Sequence, residues 1–340
     1  MSSASRPSIQ DVARLAGVAV GTVSNVLNAP EKVRPETLDK VSKAITQLGF
    51  IRNDAARQLK AGKSQTIGMI VLDSSNPFFA KLAQGAEDYA MEHGYSLILG
   101  NSGNDDSRES KYINLFEEQR MAGVLVTPAG GTNTGLASHL ANKGFKAVVV
   151  DRMADADICC SVGVDDIAGG RTAVGHLLDL GRRRVAFVGG PLGIKQVQDR
   201  LAGAREAVAR VQGAELRLME SNAMTVLAGR EVGERILALP ASDRPDAVFA
   251  SNDLLAVGLL QALVFNSQVR VPEEIAIVGY DDIDFAQAAI VPLSSIRQPA
   301  AAIGASAVQL LVDEVENPSN HTHRQVVFQP ELVVRESSGI

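Results

Sequence analysis

The 340-residue chain contains no tryptophan, only 4% aromatic residues and just two cysteines, the neighbours Cys159 and Cys160. Adjacent cysteines rarely form a disulfide because the geometry is strained. The pair therefore argues against a disulfide framework and for a reducing compartment. There is no N-terminal apolar signal segment, and no unbroken apolar run reaches the ~18 residues that span a bilayer. These absences lead us to expect a cytoplasmic protein with no membrane partner. Low-complexity segments are missing too, and so are the usual enzymatic fingerprints. Gly62-Lys63-Ser64 has the end of a phosphate loop, but Arg57 stands where its first glycine is required. Gly100-Asn101-Ser102-Gly103-Asn104 fails as a nucleophile elbow at its last position, and no GxGxxG follows the first strand. His321 and His323 lie two apart on a late loop with no acidic or cysteine partner pattern around them. No metal, cofactor or catalytic residue is expected.

What is present is an ordinary globular composition, 46% hydrophobic and 21% charged, long enough for two or three domains. The net charge of −6 conceals an asymmetry. Residues 1–63 carry ten Lys/Arg against five Asp/Glu, a balance of +5, and the rest of the chain carries −11. A basic head on an acidic body suits a protein that touches phosphates with one end only.

The head itself, Ser8 to Asn28, has the pattern of two short helices joined by a tight turn. Ser8 is placed to cap the first helix, with Asp11 completing a capping-box pattern. Ile9, Val12, Ala13 and Ala16 form its apolar face, and Gly17 sits where a left-handed residue ends it. In the second helix Val23, Val26 and Leu27 face inward and Gly21, Thr22, Ser24 and Asn25 outward. Small and amide side chains on the outer face fit the floor of a DNA major groove. An ordinary three-helix cap with a polar surface is the competing explanation. A third helix starts at Pro35 and closes on Gly49.

From Ile67 onward, apolar strands at 67–72, 95–100, 123–127 and 146–151 alternate with helices near 78–93, 107–121 and 133–143. A second set of strands follows at 184–189, 215–220, 247–251 and 275–280, with helices near 166–181, 198–211, 226–238 and 254–265. Two runs of four βα units imply α/β architecture with two doubly wound parallel sheets. A helix near 300–316 and a closing strand complete the tail. Ligands of open parallel sheets bind outside the carboxyl ends of the strands. Those ends hold carboxylates, amides, Arg152 and the rings of Phe78 and Phe79, a combination suited to a sugar.

The order and spacing of DVARLAGVAVGTVSNVLN, VRPETLDKV, NDAARQLKAGKSQTIGMI, NPFF, DRLAG, FASNDLLAVG and VPEEIAIVGYDDIDFA resemble the lactose-repressor (LacI/GalR) family over almost the whole chain. The resemblance implies a helix-turn-helix head at 1–50, a hinge helix and linker at 51–65, and a periplasmic-binding-protein-like body at 66–340. It places the N-lobe at about 66–163 plus 294–323 and the C-lobe at about 164–293 plus 324–340. Base-reading positions fall on Val20, Gly21 and Asn25, with Thr22 and Ser24 nearer the phosphates. Ser8, Asn28, Arg34 and Arg57 complete the DNA-contacting set, and Leu59 matches a minor-groove wedge. Two departures stand out. Ala19 replaces the usual serine cap, and Val20 and Gly21 stand where larger polar residues are common.

Among two-lobed binding proteins the body is similar to ribose-binding members. Their ligand positions fall on Asn76, Phe78, Phe79, Asp151, Arg152, Arg200, Asn252, Asp281 and Gln298. The resemblance therefore implies a repressor that binds pseudo-palindromic double-stranded operator DNA as a homodimer and answers to a small sugar, D-ribose or another pentose. A purine or hexose effector is the alternative. A sugar-transport protein or sugar-metabolising enzyme fits the sequence less well.

Overall fold

Val12, Ala13, Val23, Val26, Val41 and Ala44 keep almost no surface. Three short helices close around them: α1 (Ile9–Ala16), α2 (Val20–Asn28) and α3 (Pro35–Leu48). A computed structural model describes residues 7–50, 64–130, 144–265 and 269–339. It divides into two compact units, 1–63 and 64–340. The hinge helix expected near 54–59 and the helix expected near 133–143 lie outside the described residues.

The second unit holds two six-stranded sheets. The first lobe comprises β1 (Thr66–Val71), α4 (Pro77–Glu92), β2 (Ser96–Asn101), α5 (Asp106–Glu118), β3 (Gly123–Val126), β4 (Ala147–Val150) and β5 (Cys160–Val164). The second comprises α6 (Asp166–Asp179), β6 (Arg184–Gly189), α7 (Lys195–Val208), β7 (Glu215–Glu220), α8 (Val226–Leu237), β8 (Ala247–Ala250), α9 (Asp253–Phe265), β9 (Ala276–Asp281), the short α10 (Asp284–Gln287) and β10 (Ser294–Arg297). The chain then returns to the first lobe with α11 (Ala300–Glu316) and β11 (Gln325–Phe328), and finishes in the second with β12 (Glu331–Val333). Strand orders are β11-β5-β4-β3-β1-β2 and β12-β10-β9-β8-β6-β7. All pairings are parallel except the antiparallel edge β10–β12.

Burial on both faces explains why the inner strands are continuous small and branched apolar runs, GVLV in β3, AVVV in β4 and AVFA in β8, every residue buried. Helices pack on one another at glycine. A side chain at Gly304 of α11 would meet the Leu82 carbonyl of α4 at 2.0 Å, and one at Gly85 would meet the Ala301 carbonyl at 2.2 Å. The two backbones touch there, and any larger residue would force them apart.

Two expectations about the body are corrected. The segment ICCSVGV contains a strand, β5, that the four-unit reading lacks; its Gly and Cys residues obscure the pattern, yet it is wholly buried between β4 and β11. The lobe boundaries in the tail are also different. Ser294–Arg297 pairs with β9 and belongs to the second lobe, whereas Gln325–Phe328 pairs with β5 and belongs to the first. The chain thus crosses between lobes after β5, after β10 and after β11. For β11 sheet membership is decided by β5, a partner more than 100 residues earlier in the chain, which local pattern does not reveal.

Candidate functional site

In the head, Ser8 accepts the Asp11 amide at 3.3 Å while the Asp11 carboxylate accepts the Ser8 amide at 2.9 Å, a closed capping box. Gly17 takes the left-handed conformation, φ 68°, and turns the chain into α2. Ala19, at the N-cap of α2, supplies no side-chain hydrogen bond. Val20, Gly21 and Asn25 are exposed, and Thr22 and Ser24 are half-buried. Asn28 is exposed but donates to the Ser24 carbonyl at 2.7 Å and to its hydroxyl at 3.1 Å. Arg34 is exposed just before Pro35 opens α3. Arg57 and Leu59 lie outside the described residues. Restoring the cap with Ala19→Ser is expected to stabilise α2 by about 1 kcal/mol. Hydrogen exchange of the α2 amides in the full-length protein should slow about fivefold; unchanged rates would mean those amides already have partners.

In the body, the carboxyl ends of the strands meet between the lobes. Asn76 caps α4 with its side-chain oxygen on the Phe78 amide at 3.0 Å, and its amide nitrogen reaches Asp281 across the cleft at 3.4 Å. Gln298, on the second crossing, donates to the other Asp281 oxygen at 2.8 Å. Arg200 projects from α7 with its Nε on Asp166 at 2.8 Å and its Nη1 on the Ser251 carbonyl at 2.6 Å and 3.9 Å from Asp281. Its guanidinium lies over the Tyr280 ring, 3.6 Å from the centroid. Asn252 is held through the Met224 carbonyl and the Leu255 amide. Asp151 ends β4 and accepts Gln196 from the opposite lobe at 2.8 Å.

Three of the expected residues make other contacts. Arg152 directs Nη1 to the carbonyls of Pro128 and Gly130 at 3.2 and 2.8 Å, gripping the loop after β3. Phe78 and Phe79 sit edge-to-face, centroids 5.1 Å apart, within a core cluster that extends to Ile283 of the other lobe. Asp151 and Asp281 occupy the left-handed region at φ 62° and 103°. Such backbone in a residue other than glycine costs about 1–3 kcal/mol, and it concentrates at ligand sites.

Burial dominates the electrostatics. It pushes Asp151 up to about 8, reinforced by Asp166 and opposed by Arg200. It pushes Asp281 up to about 6, opposed by Arg200, Gln298 and Asn76. Burial disfavours the Arg200 cation, yet Asp166, Tyr280 and Asp281 together hold it above its ordinary range. One oxygen of Asp151 (Oδ1) and the side-chain oxygen of Gln298 (Oε1) are buried without a hydrogen-bond partner in this structure. Two orphaned acceptors beside a buried guanidinium and two buried amides suit a small neutral molecule carrying several hydroxyl groups, each both donor and acceptor.

Sequence reasoning missed Gln196, Asp166 and Glu109. Glu109 accepts the Ala129 amide at 2.6 Å and is raised to about 7 by burial. Each is an ordinary helix residue whose role appears only when another element arrives. The reading of His321 and His323 is corrected in the same way: Glu314 lies beside both, Asp313 bonds His321 at 2.8 Å, and Cys160 lies 3.3 Å from it.

Residues 8–53 match the model for bacterial regulatory proteins of the lacI family, and residues 174–338 match a periplasmic binding protein-like domain. The chain is 34% identical over 332 residues to the HTH-type transcriptional repressor PurR of Vibrio campbellii, covering 96% of this chain and 97% of the relative. It is 33% identical over 340 residues to the ribose operon repressor of Escherichia coli, covering 97% and 99%. Among solved structures, the lac repressor dimer bound to operator and an anti-inducer aligns with a TM-score of 0.83 at 25% identity, covering 98% and 99% of the two chains. A lacI-family regulator from Enterococcus faecium with bound ribose aligns at 0.72 and 27% identity, covering 80% of this chain and 98% of that one.

Proposed function

This chain belongs to the lacI family of bacterial regulatory proteins, and from that premise we propose a transcriptional repressor whose grip on operator DNA is set by D-ribose or a close pentose bound between the lobes. The observation that carries the effector assignment is the inter-lobe network of Asn76, Asp151, Gln196, Arg200, Asp281 and Gln298 with its two orphaned acceptors. Identities of 34% to PurR and 33% to the ribose operon repressor do not separate those relatives, so the effector reading rests on the chemistry of the cleft. Two carboxylates, one buried guanidinium and several amides match a ring of hydroxyls better than they match a flat base. The solved relative with bound ribose supports the same choice.

The protein acts as a regulator in the cytoplasm, and its carboxylates serve recognition, not catalysis. It works as a homodimer, because one head offers too few base contacts for tight specific binding. The outermost strands β2 and β7, at the same end of both sheet orders, leave Ile98, Leu99 and Leu218 37–47% exposed, and Leu227 of the neighbouring α8 is 73% exposed. Covering that apolar edge with a second copy fits the dimeric, operator-bound relative. Asn25 reads base edges, and the hinge transmits lobe rotation to the two heads.

Calorimetric titration of the full-length protein against D-ribose, D-glucose and hypoxanthine tests the effector. Ribose alone should give heat; heat from glucose or hypoxanthine without ribose would overturn the assignment. The same titration carries a proton signature. A sugar hydroxyl that donates to Asp151 favours its ionised form, so binding at pH 7 should release up to about one proton. The heats should then differ between phosphate and Tris buffers, and Asp151→Asn should erase the difference. Without sugar, the raised Asp151 contributes stability that is fully present below its unfolded value near 4 and lost as the pH rises through 8. A pH–stability curve identical in wild type and Asp151→Asn would contradict this.

A further inference from the structure

A cluster of metal-binding side chains lies far from the cleft, at the amino-terminal end of β5. Glu314, near the end of α11, and His321 and His323, in the loop leading to β11, place one donor atom each within 4.8 Å of one another. We propose that Glu314, His321 and His323 hold a Zn(II) ion, with Cys160 closing the fourth position.

Several independent features converge on a cation. Zn–N and Zn–S bonds of about 2.0–2.1 and 2.3 Å put tetrahedral donors about 3.3–3.6 Å apart. Cys160 Sγ lies 3.3 Å from His321 Nε2, and Glu314 Oε1 lies 3.8 Å from His323 Nε2. Asp313 accepts from His321 Nδ1 at 2.8 Å. That bond fixes the tautomer that turns the Nε2 lone pair toward the cluster, as the outer carboxylate of a zinc histidine does. The second carboxylate oxygen of Glu314 is buried with no hydrogen-bond partner in this structure. The Arg324 amide donates to Cys160 Sγ at 3.4 Å.

The Asp313–His321–Cys160 chain has the order of an activated nucleophile, but Cys160 has no exposed surface and no substrate reaches it. Two imidazoles and a carboxylate, with the Cys160 sulfur beside one of the imidazoles, instead offer a borderline-soft donor set, which selects Zn(II) over Mg(II) or Ca(II). On binding, the Cys160 S–H bond breaks, the proton leaves to solvent and the sulfur electron pair forms the S–Zn bond.

The test uses chelator-stripped full-length protein and needs neither sugar nor DNA. Zinc titrated against a chromogenic chelator should fill one tight site per chain. Asp313→Asn should weaken it by about 10- to 100-fold, and His323→Ala, whose side chain is partly exposed and whose folding circular dichroism verifies, should weaken it further. Cobalt in place of zinc should give intense tetrahedral ligand-field bands and a thiolate charge-transfer band that Cys160→Ser removes. Zinc binding equal in wild type and His323→Ala, a weak octahedral cobalt spectrum, or a charge-transfer band that survives Cys160→Ser would overturn the proposal.

Discussion

Replacing Arg200 with methionine is expected to destabilise the body by about 3–5 kcal/mol and to abolish its response to sugar. Asp166 lies against this guanidinium and Asp281 close to it, all three groups at least nine-tenths buried, with the Tyr280 ring beneath. Methionine fills much of the same volume and lies on the same ring, so packing is largely retained while the cation is lost. Asp166 and Asp281 must then ionise without a countercharge or take up protons. In either case the strand-end loop that carries Asp281 loses its anchor, and with it the contact between Asn76 and the second lobe. Denaturant unfolding of the body measures the loss. A difference below about 1 kcal/mol would show that the cluster is solvated, contrary to its burial. Methionine with added Asp166→Leu should recover part of the stability, because the stranded charge leaves with it, but none of the sugar response.

Operator binding should weaken by about a thousand- to a hundred-thousand-fold as monovalent salt rises from about 50 to 200 mM. Residues 1–63 carry a balance of +5, and the rest of the chain carries −11. Attraction to phosphate is therefore confined to the heads, and the body adds repulsion. Two heads making about 6–10 phosphate contacts release that many condensed counterions, and affinity falls steeply with the logarithm of salt. Fluorescence anisotropy on a labelled operator across a salt series gives the slope. Arg34→Gln should lower it by about one per head and weaken all sequences alike, whereas Asn25→Ala should leave the slope intact and relax the sequence preference. A flat salt response would contradict the assignment of the head.

The head was legible because its determinants are local. The Ser8–Asp11 box, the left-handed Gly17, Pro35 at the start of α3 and left-handed Gly49 at its end are each fixed within a few residues. Most inner strands of both sheets were visible for a similar reason, since burial on both faces demands unbroken apolar runs. What escaped was pairing at a distance. Nothing near Gln325 or Ser294 says which sheet each joins, and in ICCSVGV the Cys, Ser and Gly residues break the apolar run that marks the other buried strands. The cleft divides the same way. Strand-end carboxylates are apparent in the sequence, but Gln196 becomes a partner of Asp151 only across 45 residues and two lobes. Likewise Cys160 and His321 meet across 161 residues.

The proposed coupling between sugar and DNA is tested most directly by a closed thermodynamic cycle on the full-length protein. Ribose affinity is measured with and without saturating operator, and operator affinity with and without saturating ribose. Linkage requires both ratios to be equal, and a coupling of ordinary size makes each about 5- to 150-fold. Ribose that binds yet leaves operator affinity unchanged, or fails to bind at all, would contradict the account.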